Sequence, residues 1–116
     1  MLRCYFYRAT GAKIKSEGGC AWCYECDVSD RIAVKMMADR VRREVGDVNI
    51  LFNNAGIMIT KQFMQQTDDE IQSTINVNLL GQIWVLREFL PAMVKLDRGS
   101  ITFMCGLPGH AGAPNM

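Results

Sequence analysis

The sequence predicts an α/β fold organised on a parallel sheet, and three observations carry that expectation. Ile50-Leu51-Phe52 is a short apolar run without alternation, the pattern of a strand covered on both faces. It breaks off in Asn53-Asn54-Ala55-Gly56, where two amides, a small residue and a glycine suit a tight turn that something approaches closely. A second short apolar strand, Ile101-Thr102-Phe103-Met104-Cys105, follows a long stretch of helical periodicity. In a parallel sheet ligands bind at the carboxyl ends of strands. The ten residues Val48–Ile57 also read as an ordinary strand and turn.

Composition sets the outer limits. The chain has 116 residues, enough for one domain, with 49% hydrophobic and 22% charged residues. Its net charge of +1 gives no reason to expect nucleic acid or an acidic partner. No apolar run has the ~18 residues of a membrane helix, and Met1–Arg8 is too short and too aromatic for a signal peptide. The chain on its own therefore reads as soluble and intracellular. An odd number of cysteines, five, suits a reducing compartment better than a disulfide scaffold.

Taken in order, Met1–Arg8 is ambiguous between strand (Tyr5, Phe6, Tyr7) and short helix (Leu2, Phe6, Ala9). Thr10-Gly11 is expected to break it, and Ser16–Gly19 to be a loop. Thr10–Gly19 superficially resembles a phosphate loop, but Lys15 and Glu17 stand where glycines are needed. Cys20–Cys26 reads as a strand, which puts Cys20 and Cys26 on one face and Cys23 on the other. On that reading the three cysteines are buried thiols and no metal site is expected. Ser29 is the expected cap of a helix, with Asp30 in its first turn, whose apolar face is Ile32, Ala33, Met36, Met37, Val41 and Val45. Gly46 stops it.

After the Val48–Asn53 strand and its turn, Met58–Gln66 is a loop. Thr67-Asp68-Asp69-Glu70 spells a capping box, and a long helix follows. Its expected apolar stripe is Ile71, Ile75, Leu79, Ile83, Leu86, Leu90, Met93 and Val94, with Gly81 allowing close packing and Pro91 kinking the last turns. Asn78 interrupts that stripe. It is either a structural amide bonded to a neighbouring strand or one that holds a water or catalytic group. Gly106–Met116 reads as irregular.

Cys26-Asp27-Val28, Asn53-Asn54-Ala55-Gly56, the Val77-Asn78 pair and Phe89-Leu90-Pro91-Ala92-Met93, in this order of elements, resemble the short-chain dehydrogenase/reductase family. Within it the chain is most similar to the branch of epidermal retinol dehydrogenases and 17-beta-hydroxysteroid dehydrogenases, notably over Arg43–Leu51. The resemblance covers about Ala9 to Met116. It implies residues 1–116 as a single, partial Rossmann-like domain: a doubly wound parallel sheet lacking the first two and last strands. Strand order 3-2-1-4-5-6 would then leave the Cys20–Cys26 strand without sheet neighbours. A substitute strand from Met1–Arg8, or a shift of that strand to the side of Val48–Asn53, would repair this; otherwise the chain folds poorly alone.

The resemblance also implies roles. Asp27 would bond the adenine of NAD or NADP, with Val28 lending its backbone. Asn53, Ala55 and Gly56 would lie along the cofactor ribose and steady the sheet. Asn78, the catalytic candidate, would hold a proton-relay water. Substrates would be small lipophilic alcohols or ketones of the retinol or hydroxysteroid type, with hydride moving to or from nicotinamide. Relatives attach to the endoplasmic reticulum or lipid droplets by a hydrophobic segment for which this chain has no counterpart.

The departures are specific. Gly106 stands where the family has its substrate-orienting serine. No glycine-rich phosphate loop is present, and no tyrosine is followed four positions on by lysine: Tyr5, Tyr7 and Tyr24 precede Ala9, Gly11 and Val28. These 116 residues are therefore expected to be catalytically incompetent. Two alternatives stand beside that reading. One is a non-catalytic nucleotide-binding fragment or partner in a homodimer or heterodimer. The other is the inert product of a truncated or decayed gene.

Overall fold

A computed structural model describes residues 3–106, with side chains from residue 8 onward. The first element is a helix, α1 (Arg3–Ser16), so the ambiguity over the N-terminal segment resolves to helix and no substitute strand forms there. Thr10-Gly11 does not break it. A Cβ at Gly11 would lie 2.4 Å from Cys23 Sγ, so the absence of a side chain lets the next segment lie against the helix. The turn comes at Gly18, whose φ of 85° is open to glycine at little cost.

Residues 20–26 form no regular element and pair with no strand, contrary to the expected β-strand. The physical reason is the one strand order gives: its ladder partners are not among the described strands. Tyr24 holds the segment instead. Its hydroxyl donates to Glu44 Oε2 at 2.9 Å, and the Arg40 guanidinium sits 4.9 Å from the ring centre. The expected burial of the thiols also fails, because Cys20 and Cys23 are exposed and Cys26 is half-buried.

Helix α2 (Arg31–Glu44) is capped by Asp30, which accepts from the amides of Ile32 and Ala33. Ser29, the expected cap, turns back to Asp27 instead. The helix ends as expected, with Gly46 at φ 112° and its amide bonded to Val41 O. Its buried residues are Val34 and Ala38, flanked by Met37 and Val41; Ile32 and Met36, both expected in the core, are each 65% exposed.

Strand β1 (Ile50–Asn53) pairs in parallel with β2 (Ser100–Phe103), Ile50 opposite Ser100 and Asn53 opposite Phe103. The crossover between them contains a 3₁₀ turn (Phe63–Gln65), α3 (Asp68–Ile75), a π-helical segment (Asn76–Leu80) and α4 (Gly81–Lys95). The capping box forms in full: Thr67 Oγ1 accepts from the Glu70 amide and the Glu70 carboxylate accepts from the Thr67 amide. The π turn was not foreseen, and it offsets the buried face. Val77, Gly81, Val85, Phe89 and Met93 face inward, while Ile75, Leu79 and Val94 of the expected stripe are exposed.

Val34, Ala38, Leu51, Val85, Phe89 and Met93 form the core, where α2 and α4 meet one face of the strand pair. Arg42 ties the two helices together: its Nη1 donates to Glu88 O at 2.8 Å and its Nη2 pairs with Glu88 at 3.3 Å and Asp39 at 2.5 Å. A partial Rossmann-like α/β fold results. Its radius of gyration, 16.3 Å, exceeds the ~13 Å of a compact domain of this length.

Candidate functional site

At the carboxyl ends of both strands lies a cleft of about 430 Å³ lined by Asn54, Ala55, Gly56, Asn78, Gln82 and the segment Phe103–Gly106. It is built from three directions. From β1, the backbone continues into the Asn-Asn-Ala-Gly corner. Asn53 at its start is buried, and its Nδ2 donates to Gln82 O of α4 at 3.2 Å. From β2, the Met104 amide donates to Asn53 O at 2.8 Å, carrying the ladder one residue past the strand.

From the crossover comes Asn78, in the π-helical segment. Its Oδ1 accepts from the Ile57 amide and its Nδ2 donates to Ile57 O, each at 2.8 Å. One side chain thereby closes both backbone bonds of the residue after the Asn-Asn-Ala-Gly corner. The amide is thus bonded to a loop and not to a strand, and it also lines the cleft. A Cβ on Gly56 would stand 3.4 Å from Asn78 Oδ1, in ordinary van der Waals contact, so the corner lies directly against the amide. The wider π turn, in which the Gly81 amide bonds back to Asn76 O, sets the register at which Asn78 meets Ile57.

Of the residues singled out in the sequence, Ala55, Gly56 and Asn78 line the cleft together, with Asn53 directly behind them. Asp27 and Val28 do not line it. Val28 packs on the start of α4, its Cγ2 2.9 Å and its carbonyl oxygen 3.1 Å from where a Cβ of Gly81 would be. Asp27 is exposed, and its Oδ1 accepts from the Ser29 amide at 2.9 Å and hydroxyl at 2.7 Å. Burial, reinforced by the Asp27 and Asp30 charges, pushes the neighbouring Cys26 thiol above its ordinary range, so it stays protonated.

Gln82 is the residue that sequence reasoning passed over. Besides receiving Asn53 on its carbonyl, its Nε2 reaches Met104 O at 3.4 Å, so it touches the ends of both strands. Its position one turn after Asn78, on the same face, was the available signal.

Among the described residues, amides, backbone groups and the Cys105 thiol make up the polar lining, and none of them is a carboxylate, imidazole, phenol or amine. Gly106 contributes no hydroxyl. Such a lining can bind and orient a polar ligand. No cluster of metal-ligating side chains exists among the described residues.

Parallel strands joined by a helical crossover, with a small-residue corner opening on a cleft at their carboxyl ends, place the chain among the doubly wound, Rossmann-like α/β proteins. The family model for short chain dehydrogenases matches residues 7–116, and the chain belongs to that family. It is 36% identical over 105 residues to estradiol 17-beta-dehydrogenase 11 of Macaca fascicularis, covering 90% of this chain and 35% of that protein. It is 39% identical over 89 residues to human epidermal retinol dehydrogenase 2, covering 77% and 29%. A metagenomic short-chain oxidoreductase solved in complex with NADP superposes with a TM-score of 0.87 at 31% identity, over 93% of this chain and 49% of that one. NAD+-bound xylitol dehydrogenase gives 0.88 at 29%, over 95% and 43%. The chain thus spans about a third of the length of the relatives it matches. No helix among the described residues is long and apolar enough to cross a membrane.

Proposed function

We propose that this chain is the cofactor-facing part of an NAD- or NADP-linked oxidoreductase of alcohols and ketones, and that these 116 residues alone bind without turning over. The observation that carries the reading is the Asn78–Ile57 clamp at the edge of a cleft whose floor is Asn54-Ala55-Gly56. The corner fits a sugar or nicotinamide: it is small, amide-rich and free of side chains that would block close approach. When bound, the dinucleotide supplies hydride chemistry.

On this reading Ala55 and Gly56 lie along the cofactor ribose and Asn53 holds the corner from behind. Asn78 fixes the loop and presents its amide to a relay water. Asp27 meets the adenine with the carboxylate that Ser29 orients, and Val28 offers its backbone while anchored on Gly81. The names of the relatives support a steroid or retinol as the substrate. Membrane or lipid-droplet attachment is not carried by any described element. Gly106, with no hydroxyl at the cleft, supports binding without turnover.

The test is direct. NADH and NADPH fluorescence, titrated with the purified chain, should show saturable binding that Gly56→Val removes, because the added side chain fills the corner against Asn78. Absorbance at the reduced-nicotinamide band should stay flat with NAD or NADP and a 17-beta-hydroxysteroid or retinol. Lack of saturable binding overturns the cofactor assignment, and steady turnover overturns the claim of incompetence.

A further inference from the structure

A second concavity, of about 440 Å³, lies between α2 and α4 and shares no lining residue with the Asn78 cleft. Arg31, Ile32 and Lys35 line it from α2; Trp84, Arg87 and Glu88 line it from α4. Arg31 and Lys35 are one turn apart and share a face, as do Trp84, Arg87 and Glu88. The fold gathers three cations around a half-buried indole, with the exposed Ile32 as an apolar wall.

Charge balance in this cleft is uneven. Glu88, its one carboxylate, is engaged by Arg42. None of Arg31, Lys35 and Arg87 forms an ion pair among the described residues; Lys35 reaches Asp39 only through its field. With the whole chain at +1, this is a local concentration of charge and not general basicity. Cations beside an indole and an aliphatic wall, in a volume typical of small-molecule sites, match a ligand with an anionic head and an apolar body.

We propose that the α2–α4 cleft binds small organic anions, an aryl or alkyl body carrying a phosphate or carboxylate. The body lies against Trp84 and Ile32, and the charge sits among Arg31, Lys35 and Arg87. Phenyl phosphate is the probe, read through the indole N–H resonances of the full chain, with Trp22→Phe identifying the Trp84 signal. The Trp84 signal should shift saturably with phenyl phosphate, far less with phenol or inorganic phosphate, and less at raised salt. Lys35→Gln with Arg87→Gln should weaken the interaction at least about tenfold, the scale expected for losing charge-assisted bonds. Arg98→Gln, which removes a cation that does not line this cleft, should leave it unchanged. An equal response to phenol, an unchanged affinity in the double variant, or no shift at all overturns the proposal.

Discussion

Asn78 commits both ends of its amide to one residue, and that arrangement has an asymmetric cost. In Asn78→Ala the Ile57 amide and carbonyl both lose their partner in a part-buried setting. Each orphaned group costs about 1–3 kcal/mol unless water reaches it. The expected result is a melting temperature lower by at least roughly 4–8 °C, the shift for about 1 kcal/mol in a small domain. Thermal unfolding followed by circular dichroism checks this. Asn78→Asp retains an acceptor for the Ile57 amide but not a donor for its carbonyl, so it should fall between wild type and alanine.

Glu70 carries a second residue-level prediction. The Lys61 ammonium, then the Thr67 amide, hold its carboxyl below the usual carboxylate range. Because the folded value is depressed, the contribution is complete above the unfolded pKa of about 4.3 and is lost as pH falls through the lower folded value. Helicity at the start of α3 should therefore weaken in that acid window. Glu70→Gln should remove this part of the pH dependence, as followed by amide hydrogen exchange at Ile71 and its neighbours.

Among the elements, legibility followed how local the cause was. The capping box of α3 and the Gly46 stop of α2 depend on neighbours in sequence, and both were readable there. The cap of α2 was displaced by one residue because Asp27 competes for Ser29, a contact that propensity does not weigh. The strand expected at Cys20–Cys26 has the right composition, but a strand exists only with a partner. The apolar stripe of the long helix was right at Leu86 and Met93 but off the buried face at Ile75, Leu79, Ile83 and Val94, because apolar residues flank both sides and the π turn shifts the phase. In the candidate site, the Asn-Asn-Ala-Gly corner and Asn78 were legible by type, whereas their mutual bond and the bridging Gln82 depend on the fold. Gly81 was marked for close packing, and Val28 is what it packs against. Gly81→Ala should destabilise by about 1–3 kcal/mol through overpacking on the Val28 side chain and carbonyl. Val28→Ala should recover part of that loss in a double-mutant cycle, since it removes Cγ2 but not the carbonyl.

On the scale of the whole molecule, the sheet is the exposed feature. α2 and α4 cover one face of β1, while Ile50 and Phe52 on the other are 70% and 58% exposed. Val48–Asn53 contains no lysine, glutamate or proline of the kind that protects an open strand. Concentration-dependent association is expected, and light scattering should show it reduced by Phe52→Lys. Because Phe52 faces away from the core, that substitution should leave the melting temperature nearly unchanged.

The five-residue turn at Asn76–Leu80 constrains how this polypeptide can vary. A helix advances about 100° per residue, so excising any one residue there could restore regular winding while rotating everything before it by that angle. Hydrogen bonding along the axis would improve, and Asn78 would swing off Ile57. Helix regularity and occupancy of the Asn-Asn-Ala-Gly corner are therefore opposed in this stretch, and a length change of a single residue there should be tolerated less well than most substitutions.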